Sequence, residues 1–243
     1  MKRAVIVGAT SGIGREVAKC LLERGWILGV AGRREEALKT LQAIAPDRVS
    51  IQVLDVTDEK ASELLLQLID RMGGMDLYFH SSGIGKQNRN LIPEIEIPIF
   101  ETNVTGFGRM VIAAFQYFKR QGSGHIAVIS SIAGTKGLGS SPAYSATKRF
   151  QNTYIEALSQ LTKIEQLKIR FTDIRPGFVD TAILTDSHRY PMLMRPDKVA
   201  QKVVKALERQ SQIVIIDWRY AILVFFWRMI PRWLWIRLSI KTK

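Results

Sequence analysis

The chain begins with a β-branched run, Ala4-Val5-Ile6-Val7, that passes straight into Gly8-Ala9-Thr10-Ser11-Gly12-Ile13-Gly14 and then into a helix-like stretch over residues 15–24. Strand, glycine-rich turn and helix, in that order, form the context that a dinucleotide site requires. Gly8 allows a tight turn, Gly12 lets the backbone approach a pyrophosphate, and Gly14 lets the helix pack on the sheet. The helix N-terminus offers free N–H groups and the positive end of its dipole to phosphates. The spacing is GxxxGxG, so it matches the common GxGxxG fingerprint only in part.

The rest of the chain continues the pattern. Strand-like segments at residues 4–7, 27–31, 49–54, 77–80, 125–129, 169–174 and 213–216 alternate with helix-like segments, without a linker or repeat. This predicts one α/β domain around a parallel sheet. The single cysteine, Cys20, excludes an internal disulfide and a multi-cysteine metal site. The histidines at 80, 125 and 188 show no ligand spacing, so no metal is expected. Residues 1–3 lead directly into the first strand with no signal peptide, which predicts a cytoplasmic protein.

A second constellation carries chemistry. Tyr144 and Lys148 stand four residues apart, and Ser131 lies upstream of both. On a helix that spacing puts both side chains on one face, one turn apart. A free phenol has a pKa of about 10, and a neighbouring cation favours its ionised form. The expectation is therefore a tyrosine whose pKa is lowered by Lys148, with a serine hydroxyl to hold a carbonyl oxygen. These three residues suit proton transfer to or from a carbonyl or alcohol oxygen better than nucleophilic attack. Ser130 adjoins Ser131, and strand alternation lets only one of the two face the site.

Together these motifs resemble the classical short-chain dehydrogenase/reductase family over roughly residues 3–217. The resemblance implies a doubly wound Rossmann fold with a seven-stranded parallel sheet and helices on both faces. Residues 1–217 would form a single dinucleotide-binding and catalytic domain, with residues 218–243 appended as a tail. Ser131, Tyr144, Lys148 and Asn103 match the family's catalytic residues. Asn103 is expected to position a water that links Lys148 to solvent. Cofactor contacts are implied for the loop residues Gly8, Thr10, Ser11, Gly12, Ile13 and Gly14. They are implied also for Asp55 and Val56 at the adenine, for Tyr144 and Lys148 themselves, and for Gly83, Pro176, Gly177, Val179 and Thr181. The family usually has Asn-Asn-Ala-Gly where this chain has His80-Ser81-Ser82-Gly83, which predicts locally rewired hydrogen bonds and a structural histidine. A homodimer or homotetramer is implied too.

The end of the second strand selects the cofactor in such folds: an acid binds the NAD ribose, a base the 2′-phosphate of NADP. Here it reads Gly32-Arg33-Arg34-Glu35-Glu36, which favours NADP(H) over NAD(H), with Arg33 the first choice of phosphate contact. The alternative is that both arginines are surface charges paired with the two glutamates. Arg15 is either a helper or a solvated helix residue.

The last 26 residues hold four of the five tryptophans, six Lys or Arg and no acid. Their longest apolar run, residues 220–227, is far short of the roughly 20 residues a membrane span needs. Pro231 divides the tail into two short helices at most. Three readings compete: a membrane-surface segment on the inner face of a membrane, a rim of the substrate pocket or subunit contact, and a cover for the sheet. The net charge of +13 carries no recognition-helix signature, so nucleic acid is not expected as a partner. An apolar, methionine-containing loop at residues 182–195 favours a lipophilic carbonyl substrate. The competing classes are a soluble sugar or polyol dehydrogenase and a non-catalytic nucleotide-binding protein.

Overall fold

A computed structural model describes residues 1–184 and 190–240. The middle of the apolar loop, including His188, and the last three residues of the tail lie outside the described residues. Seven strands form one sheet: β1 (Arg3–Val7), β2 (Ile27–Gly32), β3 (Val49–Val53), β4 (Leu77–His80), β5 (Ser123–Ile129), β6 (Lys168–Pro176) and β7 (Ile213–Ile216). Their order is β3-β2-β1-β4-β5-β6-β7, and every pair is parallel. The predicted bounds hold to within two residues at each end.

Period-two alternation sends the strands' side chains into two cores. Ala4 and Ile6 of β1 face one side, with Leu28 and Val30 of β2. There they meet Val17 and Leu21 of α1 (Gly12–Glu23), Leu38 and Leu41 of α2 (Glu35–Gln42) and Val203 of α7 (Pro196–Glu208). Val5 and Val7 face the other side. They meet Leu65 and Leu68 of α3 (Ala61–Arg71), Met110 and Phe118 of α5 (Phe107–Gln121), and Ile155 of α6 (Pro142–Ile164). Side chains such as Leu21, Leu38 and Leu68 are wholly buried. Each then contributes about 1.5–3 kcal/mol relative to an exposed position.

The chain turns outward from β1 to β2 and β3 on one side and resumes at β4 on the other. The reversal between β1 and β4 opens a crevice at the strands' carboxyl ends, where ligands bind in doubly wound sheets. Three further segments border it. α4 (Pro93–Phe100) runs into a π-helical turn, Glu101–Gly106, before α5, and a short 3-10 helix covers Ile132–Thr135. The tail forms α8 (Trp218–Met229) and α9 (Arg232–Arg237), separated at Pro231. Among the described residues, no helix is long and apolar enough to cross a membrane.

Candidate active site

The glycine loop closes over the end of β1. Gly8 has φ +91°, and a Cβ there would lie 2.5 Å from the Ser82 amide nitrogen. A Cβ on Gly14 would lie 2.3 Å from the Gly8 carbonyl oxygen, so helix and loop touch backbone to backbone. Ser11, the N-cap of α1, makes no side-chain cap hydrogen bond. The first-turn amides of α1 are thus left for an anion, and Ser11, Gly12 and Ile13 line the large cavity. This donor set fits the pyrophosphate of a dinucleotide. Thr181 stands across from it, with its methyl 3.1 Å from where a Gly12 Cβ would be.

Arg33 and Arg34 line the same cavity. Neither pairs with Glu35 or Glu36, because Lys39 takes both carboxylates at 3.0 Å. Arg34 Nη2 donates to Thr10 Oγ1 at 3.0 Å, and Arg33 Nη1 lies 3.7 Å from Asp55 Oδ2. Arg15 turns away, donating to Thr40 Oγ1 at 3.3 Å. Asp55 is folded onto Thr57, accepting from its amide at 3.0 Å and its hydroxyl at 2.8 Å.

The catalytic candidates converge from β5, α6 and the π turn. Past β5, the two serines diverge as strand alternation requires. Ser130 points into the core, donating to the Asp173 carboxylate and accepting from Asn152 Nδ2 at 2.8 Å. Ser131 lines the cavity together with Tyr144, and its hydroxyl donates to the Pro176 carbonyl at 3.4 Å. Its oxygen also accepts from the Ala133 amide at 3.1 Å. Tyr144 and Lys148 occupy the first two turns of α6, which starts at Pro142, a residue suited to a first helical position. Glu96 holds that start in place: one carboxylate oxygen accepts from the Ala143 amide and the other from Asn88 Nδ2, both at 3.0 Å.

Lys148 Nζ donates to the Ile129 carbonyl at 3.0 Å and to Gln151 Oε1 at 2.9 Å. Gln151 Nε2 in turn donates to the Asn103 carbonyl at 3.0 Å. Asn103 thus connects to Lys148 through a glutamine amide. The Asn103 side chain braces the loop after β4, accepting from the Ile84 amide at 3.0 Å and donating to its carbonyl at 2.8 Å. Gly83 is confined as well: a Cβ there would lie 3.2 Å from Asn103 Oδ1 and 3.6 Å from Lys148 Nζ.

Electrostatics correct one expectation. Burial pushes the Tyr144 phenol above its ordinary value, and the neighbouring Ser131 hydroxyl offsets only part of that rise. The phenol thus stands above its ordinary value even with the Lys148 nitrogen 5.8 Å from the ring centre. Burial lowers Lys148 to about 8, with the Asp173 carboxylate acting against the fall. Asp173 is itself buried in an ion pair with Arg175 at 2.7 Å. The resting protein thus holds a protonated tyrosine beside a serine hydroxyl, an arrangement able to give a proton to a carbonyl oxygen. His80 is structural, as expected: its Nδ1 shares a 2.8 Å hydrogen bond with the Tyr78 hydroxyl, and its ring meets Phe107 edge-on. Burial, then the charge of Lys148, lowers it to about 3.

The cavity measures about 1070 Å³ and is shared between the glycine loop, the catalytic group and the end of the chain. Pro176, Gly177, Val179, Ile183, Leu184, Tyr190 and Met192 line it, together with Tyr220, Leu223, Trp227 and Ile240 of the tail. The tail is therefore a wall of the site, one of the three arrangements its composition allowed. No sequence pattern points to Gln151, or to the buried Ser130–Asp173–Asn152 network behind Ser131.

A family model described as short chain dehydrogenase matches residues 2–190. An uncharacterized oxidoreductase of Myxococcus xanthus is 32% identical over 241 residues, covering 95% of this chain and 93% of that protein. One from Staphylococcus aureus is 31% identical over 221 residues, covering 87% and 93%. Among solved structures, a short-chain dehydrogenase from Streptomyces avermitilis aligns with a TM-score of 0.81 at 24% identity, covering 93% of this chain and 92% of that one. An actinorhodin polyketide ketoreductase with NADPH aligns at 0.76 and 24% identity, covering 88% and 95%. These two structures share the fold.

Proposed function

The chain belongs to the short-chain dehydrogenase family of oxidoreductases, and on that premise we propose that it is an NADP(H)-dependent reductase of a lipophilic ketone. The observation that carries the reading is the convergence of Ser131, Tyr144 and Lys148 on one cavity walled by the apolar tail. When bound, the nicotinamide supplies the hydride for the carbonyl carbon. The loop from Gly8 to Gly14 would hold its pyrophosphate, Asp55 and Val56 its adenine, and the segment from Pro176 to Thr181 its nicotinamide end. Lys148 would take the ribose. Ser131 donates a hydrogen bond to the substrate oxygen and fixes its position. Tyr144 gives its proton to that oxygen as negative charge develops on it. Lys148 then offsets the charge left on the phenolate.

The preference for NADP(H) rests on Arg33 and Arg34, whose guanidinium groups are left by the adjacent glutamates for a phosphate. The lipophilic substrate rests on Ile183, Leu184, Met192, Leu223, Trp227 and Ile240 in the cavity lining. The outward side of the tail extends the reading. Trp218, Met229 and Ile236 are 70%, 66% and 69% exposed, and Phe225, Phe226 and Trp233 are also exposed. Arg219, Arg228, Arg232 and Arg237 are interspersed among them. Aromatic residues mixed with arginine suit the interface of an anionic bilayer. The proposed location is thus the cytoplasmic face of a membrane, where lipophilic substrates concentrate, with a dimer or tetramer as the assembled form.

The test is purified protein with NADPH or NADH against keto-lipids, ketosteroids and keto-sugars, beside Tyr144→Phe. Turnover of lipophilic ketones with NADPH, absent in Tyr144→Phe, is expected. Preference for keto-sugars or for NADH overturns the corresponding part. Flotation with anionic vesicles checks the outer face. A triple change of Phe225, Phe226 and Trp233 to serine is expected to abolish flotation while leaving turnover of a soluble ketone intact. Wild type that stays off the vesicles ends that part of the reading.

A further inference from the structure

Gln151 is wholly buried and lies one turn beyond Lys148 on α6. Its amide has one consistent orientation. The oxygen faces the Lys148 ammonium at 2.9 Å and the NH₂ faces the Asn103 carbonyl at 3.0 Å; reversing it would set donor against donor and acceptor against acceptor. The Asn103 carbonyl is available because it lies in the π turn Glu101–Gly106, where the regular backbone ladder is interrupted.

We propose that Gln151 is the positioning residue for Lys148: its amide spans the distance between the Asn103 carbonyl and the ammonium and fixes the charge beneath Tyr144. An ammonium has three N–H donors. The Ile129 carbonyl and Gln151 Oε1 take two of them, leaving one for the cavity that Lys148 lines. Two protein acceptors thus hold the Lys148 nitrogen in place on its buried side.

The inference rests on Tyr144 being the proton donor, and the experiment separates the two. Gln151→Met keeps the length and removes both hydrogen bonds. Losing the acceptor disfavours charged Lys148, so the phenolate is less stabilised and the Tyr144 limb of the pH profile for alcohol oxidation moves upward. The expected shift is about one pH unit, with kcat down about tenfold and the NADPH KM raised several-fold. Gln151→Ala, with room for water to take both hydrogen bonds, is expected to be more active than Gln151→Met. Gln151→Glu keeps the shape and an acceptor but partly cancels the lysine's field, and its limb also moves upward. A purely structural glutamine would lower the melting temperature of these variants without moving any pH limb, and that result overturns the proposal. Should Gln151→Met fail to fold, the Glu variant decides alone: an unmoved limb overturns it. If Tyr144→Phe retains turnover, the catalytic reading falls and this inference with it. If Tyr144→Phe is dead and the Gln151 limbs stay in place, only this inference falls.

Discussion

The Tyr220 hydroxyl accepts the Phe178 amide at 3.2 Å and donates to the Pro191 carbonyl at 2.9 Å. One side chain of α8 thereby ties down both flanks of the loop between β6 and α7. Its ring also packs so closely on Gly177 that a Cβ there would lie 2.3 Å away.

Tyr220→Phe is expected to cost about 1 kcal/mol of stability, as a buried amide and a carbonyl lose a partner. The larger effect falls on substrate KM, which should rise while kcat changes little, since no proton donor is touched. Gly177→Ala should cost about 1–3 kcal/mol by pushing α8 off the loop. Thermal melts and steady-state kinetics check both, and an unchanged KM in the two variants would show that the clamp does not shape the site.

Ser131→Ala should lower kcat about 100-fold or more, as for loss of a donor to a developing oxyanion. Cofactor binding, followed by fluorescence quenching, should change little. Ser130→Ala should act differently, because Ser130 faces Asp173 and Asn152 in the core. It should lower stability by about 1–3 kcal/mol and leave kcat near wild type.

Replacing Arg33 and Arg34 together by alanine should raise the NADPH KM by about 10–100-fold, the loss of charge-assisted hydrogen bonds to a phosphate. The NADH KM should move less than threefold. Equal losses for the two cofactors would refute a phosphate role.

Lys148 gives a stability prediction with a definite sign. The unfolded chain holds this proton up to the ordinary value of 10.5, whereas the folded protein releases it near 8. Between those limits the unfolded state binds more protons, so this group's contribution to stability rises with pH. Below 8 both states are protonated and the penalty of the buried charge is constant. Denaturant melts of the cofactor-free protein should therefore show wild type gaining on Lys148→Met from pH 8 to 10. A difference that stays flat with pH would contradict it.

The strands were legible because each is a short β-branched run bounded by turn residues, as in Val5-Ile6-Val7 before Gly8. Tyr144 and Lys148 were legible because a spacing of four fixes two side chains on one helical face, whatever surrounds them. Gln151 was not, since its meaning depends on a carbonyl 48 residues away that the π turn presents to α6. The direction of the Tyr144 shift was misread for a related reason. Spacing shows that a cation is near, but not that burial outweighs it. The pairing of Glu35 and Glu36 with Lys39, and not with Arg33 or Arg34, was not legible either, because all of these charges lie within a few residues of each other.

The side chains proposed to handle protons follow β5 and lie on α6, whereas Tyr220, Leu223, Trp227 and Ile240 arrive from beyond the last strand. The proposed chemistry and one wall of the cavity are thus encoded in separate stretches of the gene. Grafting residues 218–240 from a homologue would be a route to new substrate ranges that leaves the reaction itself alone, and divergence within such a lineage should concentrate at the carboxyl end.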